Sequence, residues 1–131
     1  MERVTGIGGI FFRSLAPDAI RRWYEANLGL PAGTGDDPTV VMRWREYDDP
    51  ERPGSTVWAP FDAETDYFGR RENAWMINFR VRDLDAMLAQ LRAAGATIDE
   101  RIETLAGFGR FGWFEDPDGN RVELWEPPAG M

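Results

Sequence analysis

Phe114-Glu115-Asp116-Pro117-Asp118-Gly119-Asn120-Arg121-Val122-Glu123-Leu124-Trp125-Glu126-Pro127 reads as a tight turn followed by a strand. In Asp116-Pro117-Asp118-Gly119-Asn120 the proline presets φ, the glycine accepts φ > 0, and the Asp and Asn side chains bond nearby backbone. Strict alternation follows: Arg121, Glu123 and Trp125 share one face, Val122 and Leu124 the other. A strand with an apolar back and a carboxylate in front aims Glu123 into a pocket, and the remaining chain has to supply what it faces.

Working back from that strand, Phe108 to Phe114 and Thr97 to Thr104 are expected strands. Gly107, Gly109 and Gly112 interleave with Phe108 and Phe111, which suggests a bulged, twisted strand, with a flexible flap as the alternative. Met76 to Arg82 alternates Ile77, Phe79 and Val81 against Met76, Asn78 and Arg80. Asp83 is an N-cap for a helix with a Leu84, Met87, Leu88, Leu91 stripe that ends at Gly95. Nearer the N-terminus, Ile7 to Ser14 reads as a strand with Ile10 and Phe12 on one face and Gly9, Phe11 and Arg13 on the other. Pro17 opens a helix with Ile20, Trp23, Tyr24 and Leu28 at helical spacing and Gly29 as its cap. A loop over 31–38 and strands over Thr39–Tyr47 and Ser55–Phe61 come next; residues 62–73 read as a weak strand or a linker.

Strand-plus-helix falls on strand-plus-helix when the chain is shifted by 67: Ile10 on Ile77, Phe12 on Phe79, Arg13 on Arg80, Asp18 on Asp85, Ala19 on Ala86 and Ala26 on Ala93. Strand, helix, then two or three strands occur twice. Each helix stripe must cover one sheet face, leaving the other face to curl round a cavity.

The 131 residues suffice for one domain or two small modules sharing a core. A net charge of −8 argues against nonspecific nucleic-acid binding and against anionic membrane surfaces. Without Cys there is no disulfide or thiolate chemistry, and without His the commonest general base and the commonest zinc ligand are both missing. No apolar run is long enough to span a bilayer and the N-terminus has no signal-like segment, so the expectation is a soluble, cytoplasmic protein.

Gly8-Gly9-Ile10-Phe11-Phe12-Arg13, Trp23-Tyr24-Glu25-Ala26-Asn27-Leu28-Gly29-Leu30, Asn78-Phe79-Arg80-Val81-Arg82-Asp83-Leu84-Asp85 and Phe114 to Glu123 together resemble the vicinal oxygen chelate superfamily: glyoxalase I, bleomycin-resistance proteins and extradiol dioxygenases. The resemblance implies an α+β fold in which two βαβββ modules form a cup-shaped mixed sheet. On that reading residues 1–131 are a single domain, with a first module over about 4–68 and a second over about 73–127, and the protein forms a homodimer. Metal-dependent relatives place ligands at up to four repeat-related positions. Carried over, these are Gly9, Met76, Glu123 and Thr56, or Trp58 if a gap intervenes. Zinc, nickel or iron sites want several His, Cys or carboxylate donors, and only Glu123 qualifies.

Glu123 has two readings: a pocket carboxylate paired with an arginine or left from an ancestral metal site, or a catalytic general base raised in pKa by burial. Arg13 and Arg80 either pair with Glu123 or rim acids such as Glu46, or clamp a substrate anion. Phe11, Trp44, Trp58 and Trp113 are the aromatics expected in the cup, with Met76 as filler and Asn78 as donor and acceptor. The segment from Trp58 to Phe68 is a lid or a dimer seam. The function expected is metal-free binding of a small organic molecule, aromatic or cationic, held by stacking and cation–π contact. The alternative is a lyase, isomerase or dioxygenase-like enzyme using Glu123 as base or as ligand of a divalent metal (Zn, Ni, Mn or Fe), with Glu46, Asp62 or Glu64 contributing. A third reading has the cup filled by the protein's own side chains.

Overall fold

The computed structural model describes residues 1–31 and 39–131. Apart from Pro31, the loop expected over 31–38 lies outside these residues. The chain runs β1 (Gly6–Ser14), α1 (Pro17–Leu28), β2 (Val40–Arg45), β3 (Pro53–Asp62), β4 (Trp75–Arg80), α2 (Leu84–Ala93), β5 (Thr97–Ile98), β6 (Glu103–Leu105), β7 (Gly109–Glu115) and β8 (Arg121–Glu126). One eight-stranded mixed sheet has the order β2-β3-β1-β4-β8-β7-β5, with β6 paired to β7. β1 lies antiparallel to β4, and each runs parallel to the closing strand of its own half, β3 or β8. Ile10 pairs with Ile77, the residues that the shift of 67 superposes, so the internal pseudo-two-fold passes between β1 and β4. This is the α+β cup the repeat implies; among the described residues its first half contributes β1, β2 and β3.

The two helices differ in how they hold the sheet. In α2 the Asp83 carboxylate accepts from Ala86 N–H at 3.0 Å, satisfying an otherwise orphaned donor. Leu84, Met87 and Leu88 then pack with Val81 and Leu124 into a core that Phe79, Leu91, Ile98 and Phe114 border. α1 opens on Pro17 and ends on Gly29 at φ 64°, yet it buries no residue fully. Its expected stripe rests on rings instead of inserting between them: Tyr24 meets Trp58 at 4.8 Å, and Trp58 meets Phe12 at 5.2 Å. Trp23 and Leu28 stay largely exposed. Leu88→Ala should therefore cost about 2–5 kcal/mol, whereas Leu28→Ala should stay within about 0.5 kcal/mol. Urea denaturation of the two variants checks the contrast.

The strand expected over Thr97–Thr104 is divided, and of the two readings of 62–73, weak strand or linker, the second holds. Thr97–Thr104 splits because the Asp99 carboxylate accepts from Arg101 N–H at 2.9 Å, a local turn that competes with the ladder. Residues 62–73 are a chain of turns: Asp62 Oδ1 accepts from Glu64 N–H, Thr65 Oγ1 from Tyr67 N–H, and the Asp66 carbonyl from Gly69 N–H. That segment folds back into the cup. Among the described residues no helix is long and apolar enough to cross a membrane.

Candidate functional site

Opposed residues on neighbouring strands share a sheet face. The pairings Val41–Val57, Val57–Gly9, Gly9–Asn78, Asn78–Glu123 and Glu123–Trp113 lay one row across the concave face. Ala59, Phe11 and Met76 form part of the next row on that face. Trp58, Ile10, Ile77, Val122 and Phe114 form a row on the opposite, helix-covered face. Trp58 is therefore not a cup residue: it is one step out of phase and lies under Tyr24 of α1. The same register corrects the counterpart of Glu123. With Ile10 and Ile77 exchanged by the pseudo-two-fold, Asn78 corresponds to Phe11, and their partners Glu123 and Ala59 correspond to each other. Thr56 points the other way, its hydroxyl receiving Trp44 Nε1–H at 2.8 Å and donating to the Ile7 carbonyl.

Glu123 is 2% exposed. Its Oε1 accepts from Asn78 Nδ2 at 2.6 Å. Its Oε2 accepts from Trp113 Nε1 at 2.9 Å and from the Tyr67 hydroxyl. Burial pushes the carboxyl above its ordinary 4.5, while the three donors and the Arg121 charge pull the other way. The Tyr67 phenol is pushed up by burial and by the adjoining carboxylate. Both carboxylate oxygens thus face donors of this chain.

The donor nearest the mouth belongs to a plug. Tyr67 stacks on Phe61 at 5.5 Å and meets Trp113 edge-on at 6.2 Å. Phe68, with no exposed surface, completes a packed cluster with Phe11, Met76 and Trp113. The segment from Trp58 to Phe68, read from sequence as a lid or dimer seam, packs into its own chain. Arg13 holds it there: its guanidinium donates to the carbonyls of Asn73 at 2.9 Å, Ala63 at 2.9 Å and Thr65 at 2.5 Å. Arg13 was expected to clamp an anion or pair with a carboxylate; it instead satisfies main-chain oxygens of the plug.

A divalent metal does not fit this half of the cup. The four repeat-related positions hold Gly9, Ala59, Met76 and Glu123, and a cation at Glu123 would have to displace three hydrogen-bond donors. Among the described residues no three His, Cys, Asp or Glu side chains gather into a ligand set. Glu46, suggested as a contributor, pairs with Arg82 at 2.6 Å, and Glu64 pairs with Arg71 at 2.6 Å. Asp62 caps the plug's first turn.

The other half of the concave face is open. A cleft of about 430 Å³ lies between the β2–β3 ribbon and Trp125, lined by Val41, Val57, Trp44, Phe108, Arg43 and Arg45 among others. Among the described residues the side chains lining it include no carboxylate, in a chain of net charge −8. Trp44 fits because Gly6 and Gly54 carry no side chain: a Cβ on either would stand within 2.3 Å of its ring. Trp44 and Trp125 flank Arg80, with ring centroids 5.4 and 5.0 Å from the guanidinium carbon. The expected pocket residues thus divide three ways. Phe11, Met76, Asn78 and Trp113 surround Glu123 in the closed half, and Trp44 and Arg80 border the open half. Arg13 and Trp58 belong to neither. The sequence reading did not place Arg43, Ser55 or Phe108 in the pocket; alternation along β2 places Arg43 beside Val41, but the direction of the Phe108 turn has no comparable signal.

A family model described as Glyoxalase/Bleomycin resistance protein/Dioxygenase superfamily matches residues 7–124. Among curated proteins none matches. Among solved structures, Streptomyces coelicolor methylmalonyl-CoA epimerase in complex with 2-nitronate-propionyl-CoA superimposes with a TM-score of 0.67 at 19% identity, covering 93% of this chain and 96% of that one. Methylmalonyl-CoA epimerase from Mycobacterium tuberculosis gives 0.57 at 20%, covering 95% and 89%. A Legionella pneumophila structure described as an NAD-dependent benzaldehyde dehydrogenase gives 0.56 at 13%, covering 89% and 96%. Such different activities at these identities mark a shared scaffold, not a shared reaction.

Proposed function

The chain belongs to the glyoxalase/bleomycin resistance protein/dioxygenase superfamily, and from that premise we propose that it binds a small, flat organic anion in the open half of its cup without a metal. The observation that carries this reading is the lining of the cleft: aromatic and aliphatic walls, Arg43 and Arg45 at the edge, and, among the described residues, no carboxylate side chain. Apolar walls with a few placed polar groups are the usual make-up of a ligand site. The acidic composition and aromatic cup together point to a cationic ligand; the local lining favours an anionic one. The enzyme alternative asks Glu123 to remove a substrate proton. Its oxygens are taken by Tyr67, Asn78 and Trp113 on the far side of a packed plug, which supports a structural role.

Binding followed by quenching of tryptophan fluorescence tests the proposal. 2-Naphthoate should bind, and 1-(aminomethyl)naphthalene should bind at least about tenfold more weakly, the equivalent of about 1.4 kcal/mol. Val41→Trp, which fills the cleft, should abolish naphthoate binding, and a chelator should change nothing. Equal affinity for the amine, or indifference to Val41→Trp, would overturn the assignment.

A further inference from the structure

Arg43 and Ser55 stand opposite each other on β2 and β3, and both line the open cleft of about 430 Å³. Residues directly opposed across an antiparallel pair have Cβ atoms about 4.5–5.5 Å apart. Ser55 is 6% exposed. Its Oγ accepts from Arg80 Nη1 at 3.2 Å, and among the described residues its own hydroxyl proton goes to no acceptor. A hydroxyl carries one donor beside its lone pairs, and a buried donor left unused costs stability. The acceptor for that proton has to come from the cleft.

Arg43 is exposed at the edge of the same face. In a chain of net charge −8 it makes, among the described residues, neither an ion pair nor a side-chain hydrogen bond. Its neighbours are engaged. Arg45 donates from Nη1 to the Pro50 carbonyl at 3.1 Å, Arg82 holds Glu46 at 2.6 Å, and Asp49 in the β2–β3 turn is taken by Arg52 at 3.8 Å. Two donors thus meet at one hollow: an unengaged guanidinium, and a hydroxyl whose proton is strengthened by the guanidinium on its other side. Two residues along each strand, about 6–7 Å away, Val41 and Val57 form the next opposed pair on that face, and Phe108 and Trp125 line the cleft as well.

We propose that Arg43 and Ser55 together are the anion anchor of the cleft: one oxygen of a ligand carboxylate accepts from the Arg43 guanidinium and the other from the Ser55 hydroxyl. The inference rests on the reading of the open cleft given above and adds the anchor and the orientation of the ligand. The distance from this polar row to the valine row sets the chemistry of the remainder, since an aromatic ring bonded directly to the carboxylate lies on Val41 and Val57. The ligand class is therefore an aryl carboxylate. Ser55 supplies the discrimination, because a ligand with no acceptor at that point strands its proton.

Fluorescence titration of the full chain with 2-naphthoate and the neutral 2-naphthamide tests the pair. The amide keeps a carbonyl acceptor and loses the charge. Arg43→Gln should weaken naphthoate about tenfold or more and naphthamide less than about threefold, because only the acid makes a charge-assisted bond there. Ser55→Ala should weaken both about three- to tenfold. Ser55→Cys, similar in size and a poorer donor, should do the same, and serves if the alanine variant, which leaves Arg80 Nη1 short of an acceptor, does not fold. Arg22→Gln removes an equal charge from α1, away from the cleft, and should change neither affinity. The anchor is overturned if Arg43→Gln weakens the acid no more than the amide, if Arg22→Gln weakens the acid as much as Arg43→Gln does, or if naphthoate binding is unchanged in both Ser55 variants. If Val41→Trp still abolishes naphthoate binding in that case, the open-cleft reading stands without the anchor; if naphthoate does not bind the wild-type chain, both fall.

Discussion

Replacing Glu123 by alanine should destabilise the protein by about 3–5 kcal/mol, the range for breaking a buried charged network by removing one partner. The substitution leaves Asn78 Nδ2, Trp113 Nε1 and the Tyr67 hydroxyl without their acceptor in a region closed to water, and it opens a void between β7 and β4. Glu123→Gln should be milder, about 1–3 kcal/mol, since one oxygen still accepts while the amide NH₂ meets a donor. The pH dependence follows from the direction of the shift. Burial raises the folded-state pKa of Glu123 above 4.5, so over the interval from 4.5 up to that raised value the folded state holds more proton than the unfolded one. The contribution of Glu123 to stability is then greatest at acid pH and falls as pH rises, by at most about 1.4 kcal/mol per pH unit. Glutamine cannot titrate, so the advantage of wild type over Glu123→Gln should shrink across that interval. Urea denaturation of the three proteins at several pH values measures all of this. A catalytic acid kept at the expense of stability would behave in the opposite way, its removal being neutral or stabilising; that outcome would return Glu123 to the role of base.

Much of this arrangement could be read from residue order, and the remainder could not for identifiable reasons. The repeat gave the sheet because apolar alternation and helix stripes recur at a fixed shift, and Ile10 facing Ile77 is that shift made visible. Asp83 gave the start of α2 because a cap is a local bond between near neighbours. Trp58 misled for a countable reason: moving the position from Thr56 to Trp58 is a step of two and keeps the same face, whereas the register puts the counterpart of Glu123 at Ala59, one residue further and on the other face. Arg13 misled because alternation gives a side chain's direction but not what fills the space ahead of it. Its partners are carbonyls of a turn segment 50 or more residues away. Tyr67-Phe68 shows the same limit. Two aromatics in a run of turns can cover a neighbour or fold inward, and what decides is whether the cup's facing wall has room. Here the wall contributes Gly9 and Ala59, small residues where a donor side chain would otherwise stand.

Phe68→Ala should accordingly cost about 3–5 kcal/mol, the usual range for a fully buried aromatic. The ring fills the volume between Phe61, at 5.2 Å between centroids, and the Phe11, Met76 and Trp113 group, and the Arg13 guanidinium carbon sits 5.2 Å from its centroid. Its loss removes apolar burial and one face of a cation–π contact together. The surrounding sheet cannot collapse into the space, because β1 and β4 are held from both sides by β3 and β8. The resulting hole is lined by ring and thioether carbons, and such a hole stays dry and accepts a small apolar guest. Benzene at saturating concentration should therefore recover part of the lost stability in Phe68→Ala and leave wild type unchanged, with thermal unfolding as the measurement. If Phe68→Ala costs under about 1 kcal/mol, the ring is not a structural plug, and the segment around it is a cover that opens; Glu123 would then be within reach of solvent and substrate. The benzene arm separates the two cases, since a cover that has swung away leaves no closed hole for benzene to fill.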